Sequence, residues 1–232
     1  MSEASGGVAI RDAASVVVLR RQGGEARVLM GQRGAGAAFM PSKWVFPGGA
    51  LDPADRDAAQ RFAPPEALAE RLGRRPRGGP ERDPSLGAAL ALAALRELSE
   101  ETGLAPRASA SGSAEGLTPA WSAYLARHGA PNAAGLVPLA RAITPPGGPR
   151  RFDARFVALD AAEIEDPDDF AGADGELSHL AWLPLAEARA ADLPFVTALV
   201  LAEIEARLAD DGPEPAIPFF RHEAGRSYLD PL

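Results

Sequence analysis

Glu97, Glu100 and Glu101 lie within five residues of one another, near the end of a stretch (85–101) that reads as a helix. Each residue of an α-helix advances ~100°, so with Leu95 at zero Glu97 falls at about 200°, Glu100 at about 140° and Glu101 at about 240°. Leu92 and Leu98 fall within about 60° of Leu95. One face therefore carries three carboxylates, and the opposite face is apolar and suited to packing on a sheet. Each close like-charge pair costs an isolated helix roughly 0.2–0.5 kcal/mol. Two of the three also sit in the last turn, where the helix dipole disfavours negative charge. A hard divalent cation such as Mg²⁺ would reverse that penalty, because it takes oxygen ligands and works beside phosphates. A bare Glu-x-x-Glu-Glu is otherwise an ordinary solvated acidic face, so the surrounding residues must discriminate.

The elements that would position this helix can be followed along the chain. Residues 15–20 are β-branched and apolar and read as a buried strand. Gly23-Gly24 makes a turn into a second strand, 27–32, giving a hairpin. Trp44 to Gly49 is a short strand stopped by Pro47 and a glycine pair. Residues 53–84 are rich in Arg, Asp, Glu, Pro and Gly and read as an insertion on the domain surface. They hold one short helix, opened by Pro64-Pro65 and stopped by Gly73. The helix at 85–101 starts at Pro84-Ser85 and ends before Gly103. Further on come a short helix at 118–128, strands around 141–144, 152–159 and 180–183, and a last helix at 195–208. This mixture predicts an α/β chain with a mixed sheet covered by helices, folded as a single domain over 1–232.

Composition narrows the function classes. Hydrophobic residues make up 46% and charged residues 24% of 232, as in an ordinary globular protein. The absence of Cys excludes a thiol nucleophile, a disulfide scaffold and a cysteine zinc site. A net charge of −8 disfavours broad nucleic-acid binding. No apolar run is long enough to span a bilayer, and no secretory signal is evident, so a cytoplasmic enzyme is expected. A small anionic substrate would need a local positive site: a bound metal, or a cluster such as Arg150, Arg151 and Arg155. His128, His179 and His222 lack ligand spacing.

Arg96-Glu97-Leu98-Ser99-Glu100-Glu101-Thr102-Gly103-Leu104 resembles the second half of the Nudix signature, Gly-x5-Glu-x7-Arg-Glu-U-x-Glu-Glu-x-Gly-U, where U is aliphatic. Phe46-Pro47-Gly48-Gly49 resembles the strand end that precedes it. The resemblance implies a Nudix-like α/β/α sandwich and a diphosphate hydrolase using Mg²⁺ or Mn²⁺. It implies that Glu97, Glu100, Glu101 and the Gly49 carbonyl hold the metal, and that Arg96 holds the glutamates in place. The box is interrupted: 46 residues (50–95) separate Gly49 from Arg96, against thirteen in the pattern. Counted back from Arg96, the place of the early Glu holds Ala88. Either that carboxylate is dispensable or one of Asp52, Glu66, Glu70, Glu81 and Asp83 replaces it.

The split box, with Phe39-Met40-Pro41 before it and Leu51-Asp52-Pro53-Ala54-Asp55 within it, is similar to the coenzyme A diphosphatase branch. So are Ile143-Thr144-Pro145-Pro146 with the following 149–156, and 176–188 around Trp182. The resemblance implies coenzyme A or an acyl derivative as substrate, with NADH, a nucleotide sugar or a non-catalytic nucleotide-binding module as alternatives. Arg33 stands where the branch places an arginine before Phe-Pro-Gly-Gly, although further upstream. Arg33, Arg150, Arg151 and Arg155 are the candidates for substrate phosphates, arginine being suited to bidentate contacts. Glu176, on a Gly/Asp loop, is a candidate base or additional ligand, the 97–101 cluster being the other source of a base. The small-molecule partner is a nucleoside diphosphate derivative, with neither nucleic acid nor membrane expected. Many members of the family are dimers, which admits a homodimer here.

Overall fold

A computed structural model describes residues 8–34, 36, 40–108, 111–210, 215–223 and 225–232. Phe39 of the Phe-Met-Pro element and most of the 34–38 loop lie outside the described residues.

The expected hairpin forms from β1 (Ile10–Gln22) and β2 (Glu25–Arg33), antiparallel with Leu19 opposite Val28. β1 runs five residues further toward the N-terminus than its apolar core suggested. There it pairs in parallel with β6 (Arg151–Asp160), from Ile10–Arg151 to Leu19–Asp160. Trp44 to Gly49 divides into β3 (Trp44–Val45) on β2 and β4 (Gly48–Ala50) on β1. β5 (Val137–Ile143) lies antiparallel to β6, and β7 (Leu177–Pro184) antiparallel to β2. β8 (Pro218–Glu223) and β9 (Arg226–Pro231) form a hairpin beyond β5, not anticipated from their short, mixed sequence. The described residues thus make a nine-stranded mixed sheet whose main path is β3-β2-β1-β6-β5-β8-β9.

Strand alternation sends side chains to opposite faces. Val16 and Val18 of β1, with Val157 and Leu159 of β6, enter one core with Leu90, Leu92, Leu95 and Leu98. These leucines belong to α3 (Pro84–Thr102), which begins at the Asp83 cap and ends at Gly103 (φ 77°) much as expected. Val17, Met30, Phe46 and Phe156 enter a second core on the other face. Ala188 of α5 (Leu185–Ala190) and Val200, Leu201 and Ile204 of α6 (Phe195–Ala209) complete it.

The segment 53–84 contains two helices rather than one. α2 (Glu66–Leu72) was expected, whereas α1 (Pro53–Arg61) was not, since its polar, alanine-rich sequence has little apolar periodicity. Its signal was the reciprocal cap between Asp52 and Asp55. The segment is also more than a surface insertion: Ala58, Ala59, Leu68 and Leu72 are buried in the α3-side core. α4 (Pro119–His128) joins the same core through Trp121 and Tyr124.

α2 and α3 cross at Gly87, where a Cβ would collide with the Ala69 carbonyl and approach the Gly73 amide at 2.7 Å. Gly87→Ala should therefore destabilise the protein by about 2–3 kcal/mol despite alanine's better helix propensity. Urea unfolding measures this directly, and an unchanged or raised midpoint would refute the close crossing.

Candidate active site

The last turns of α3 bring their carboxylates under the β4 end of the sheet. Glu101 is only 2% exposed, and its Oε2 accepts the Gly48 amide at 2.7 Å. Gly48 and Gly49 pass so close that a Cβ on Gly48 would strike Ser15, and one on Gly49 would strike the Glu97 carboxylate. Space requires glycine at 48, where the collision includes backbone atoms; at 49 a Cβ would push aside the end of the Glu97 side chain. Glu100 is the most exposed of the three.

Arg96 is buried and uses all five of its N–H groups. Nε and Nη2 grip Asp55 at 2.8 and 3.0 Å, Nη1 reaches Glu97 and Glu100 at 2.9 Å each, and Nη2 also donates to the Ala50 carbonyl at 3.2 Å. Burial disfavours its charge, but Asp55 and the glutamates outweigh that and raise its pKa. Asp55, which was not among the candidates for the early carboxylate, is the acid that Arg96 holds. None of the five earlier candidates accepts a hydrogen bond from Arg96, whose N–H groups all go elsewhere. Asp52 and Asp83 cap helices, Glu70 pairs with Arg82, and Glu66 and Glu81 are exposed. Ala88 lies eight residues back along α3, about 12 Å away, and packs on the core. A forward count from Gly49 reaches Asp55 as Gly-x5-Asp, which was the available signal. The additional residues follow Asp55, so a backward count from Arg96 could not find it.

Beside β4 opens a cleft of about 290 Å³, on the sheet face away from α3. Arg11, Arg33, Arg150, Glu97, Gly49 and Glu176 all line it. Arg33 Nη2 donates to Glu176 Oε1 at 2.7 Å. The Glu176 loop is tied to α3 by the Asp174 amide, which donates to the Glu100 carbonyl at 2.8 Å. Arg20 holds the same loop by gripping both oxygens of Asp168 at 2.9 Å while lying over the Trp182 ring. Arg11 carries no motif and was not anticipated. It shares a strand face with Ala13 and Ser15, which also line the cleft.

Two of the expected phosphate arginines lie elsewhere. Arg151 Nε donates to the Thr144 carbonyl at 3.0 Å, outside the cleft lining. Arg155 does share a face with Asp153, as alternation required, but it is the α3 face and Arg155 is buried there. It donates to Asp12 at 2.6 Å and lies 3.1 Å from Asp153. Asp153 also receives a bidentate pair from Arg141 and a bond from Arg77. Burial would raise the Asp153 pKa, but Arg141, Arg155 and Arg77 hold it below the ordinary carboxylate range.

The carboxylates supply the hard oxygen donors that a divalent ion requires. Among the described residues, no three acidic or imidazole groups close around a common point. Arg96 draws one oxygen of Glu97 and one of Glu100 toward itself, leaving the second oxygen of each to another partner. Burial pushes the Glu97 carboxyl up to about 7, with Arg96 opposing and Glu100 and Asp55 adding to the rise. Burial also raises Glu101 well above its usual range; the Gly48 amide opposes this and Glu97 and Glu176 reinforce it. Buried acids short of positive charge are the physical condition that a cation relieves.

A model of the NUDIX domain matches residues 9–204. No curated protein matches the chain. Among solved structures, a NUDIX hydrolase from Alicyclobacillus acidocaldarius is 31% identical over 89% of this chain and 99% of its own, with a TM-score of 0.61. A C. elegans Ap4A hydrolase binary complex is 18% identical, covering 86% of this chain and 98% of its own, with a TM-score of 0.44. The NUDIX domain of Shewanella oneidensis NrtR complexed with ADP ribose is 14% identical, covering 89% and 94%, with a TM-score of 0.46. Among the described residues, no helix is long and apolar enough to cross a membrane.

The raised carboxyls fix a sign for stability. A carboxyl that binds its proton more tightly when folded stabilises the protein below its unfolded pKa, near 4.3 for Glu, and loses that contribution as pH rises through the folded value. In EDTA, the wild-type melting temperature relative to Glu97→Gln should therefore fall as pH rises through about 7. A difference that grows with pH over that interval would contradict the burial argument.

Proposed function

Since the chain belongs to the Nudix family and is a hydrolase of pyrophosphate bonds, we propose that it cleaves coenzyme A or an acyl-coenzyme A at its diphosphate, with Mg²⁺ or Mn²⁺. The observation that carries the metal-dependent reading is that Glu97 enters the cleft lined by Gly49 and the Arg33–Glu176 pair, with Glu100 beside it on Arg96 and Glu101 on the Gly48 amide. The split box and its flanking Met40-Pro41 and Leu51-Asp52 elements support the coenzyme A assignment.

Glu97, Glu100, Glu101 and the Gly49 carbonyl would hold the ion. When bound, it neutralises diphosphate charge and makes nearby water more acidic. Arg33 and Arg150, which line the same cleft, would bind phosphate oxygens, and Arg11 would add positive charge to the lining. In the free protein Arg33 occupies Glu176 Oε1. As Arg33 turns to a phosphate, that oxygen becomes free to accept the proton of the attacking water. Arg96 does not meet the substrate; it fixes Glu97 and Glu100. The products are an adenosine bisphosphate and a phosphopantetheine portion. The protein works as one domain, with 53–84 serving to bring Asp55 to Arg96.

The test is turnover of coenzyme A, an acyl-coenzyme A, NADH and a nucleotide sugar with Mg²⁺ or Mn²⁺, products being identified by mass. Coenzyme A compounds should be cleaved fastest, and Glu100→Gln or Glu101→Gln should each lower the rate at least about 100-fold while circular dichroism is unchanged. Preferred cleavage of NADH or the sugar would overturn the substrate. Full activity in both variants would overturn the site.

A further inference from the structure

We infer that Trp121 is a positioning residue for the hydrolytic site, acting through Asp55 and Arg96 on glutamates to which it donates no hydrogen bond. The inference rests on the hydrolytic reading of the α3 carboxylates. Asp55 stands where the Nudix pattern has Glu, and its side chain is one methylene shorter. It compensates by meeting four donors. Oδ1 accepts Arg96 Nε at 2.8 Å and the Trp121 indole Nε1–H at 3.1 Å. Oδ2 accepts Arg96 Nη2 at 3.0 Å and the Asp52 amide at 2.8 Å. The carboxylate is 0% exposed, so no solvent replaces a lost donor.

The plane of this carboxylate sets the plane of the guanidinium, because two parallel bonds join them. The guanidinium plane in turn sets Nη1, the atom that holds Glu97 and Glu100. Trp121 is itself rigid: fully buried in the α3-side core, it packs against Tyr124 with ring centroids 5.2 Å apart. Its N–H therefore has one direction, and that direction is Oδ1. Without it, Oδ1 keeps a single donor, and the carboxylate can turn and carry Arg96 with it. α4 lies outside the Nudix box, yet it holds the box through this bond as well as through His128 Nε2, 2.9 Å from Ser99 Oγ.

Trp121→Phe keeps an aromatic ring and removes the N–H. With whichever diphosphate the wild type cleaves, kcat should fall about tenfold with KM changed less than about twofold. Asp55→Asn should lower kcat as well, and the double variant should be no slower than Asp55→Asn alone, since both act on one linkage. A second readout needs no turnover: the amide spectrum of the metal-free protein contains three indole signals, from Trp44, Trp121 and Trp182. Asp55→Asn and Arg96→Lys should both shift the Trp121 signal and hasten its hydrogen exchange. Effects on kcat that multiply, or an indole signal indifferent to Asp55→Asn, would overturn the proposal. A protein that cleaves none of the substrates but shows the indole response would overturn the hydrolytic reading and leave the positioning linkage standing.

Discussion

The grip of Asp55 on Arg96 is the interaction from which the rest of the site follows. Burying a guanidinium and a carboxylate carries a large desolvation penalty, which is recovered only when geometry is good and the remaining polar groups are bonded. Here every N–H of Arg96 has an acceptor, and each oxygen of Asp55 has two donors. The pair therefore acts as a rigid fixture. From it, one nitrogen projects toward Glu97 and Glu100, spacing two carboxylates that would otherwise repel each other across a turn.

The sheet places this fixture beside a cleft on its far face. α3 packs on one side, and the cleft opens on the other. Side chains on β4 would block the route between them. Gly48 and Gly49 leave it open, so that Glu97 reaches the cleft wall and Glu101 finds the Gly48 amide. The Glu176 loop closes the arrangement from the α3 end, held by Asp174 on the Glu100 carbonyl and by the Arg20–Asp168 pair. Glu97 and Glu176 therefore line the cleft together with Arg11, Arg33 and Arg150.

A second buried ionic knot fixes the segment that delivers Asp55. Arg141 donates to the carbonyls of Arg74 and Arg75 as well as to Asp153, and Arg77 reaches back to Asp12 and Asp153. The loop after α2 is therefore bonded to β1, β5 and β6 through charged groups. Arg155 belongs to this knot, and its position explains why an arginine within a promising motif does not face the cleft. Strand parity assigned it to the α3 face, where Asp12 and Asp153 meet it.

Some of this is written locally in the chain. Helical periodicity over 85–101 placed Glu97, Glu100 and Glu101 on one stripe and the leucines on the other. Gly103 marked the helix end, and Gly23-Gly24 marked the hairpin, because such features depend on covalent geometry within a few residues. The resemblance to the box implied metal chemistry and left open whether an early carboxylate is dispensable or replaced. That Asp55 fills this place could not be read backward along the helix, because an intervening segment breaks the register and only folding returns residue 55 to residue 96. Trp121, Arg11 and the choice between Arg150 and Arg155 were equally hidden. Each depends on which strand face or helix end meets the site, and that is decided by contacts between residues distant in sequence. Charge type and spacing determined what chemistry the chain could hold; the packing of a helix across a sheet decided which charges take part in it.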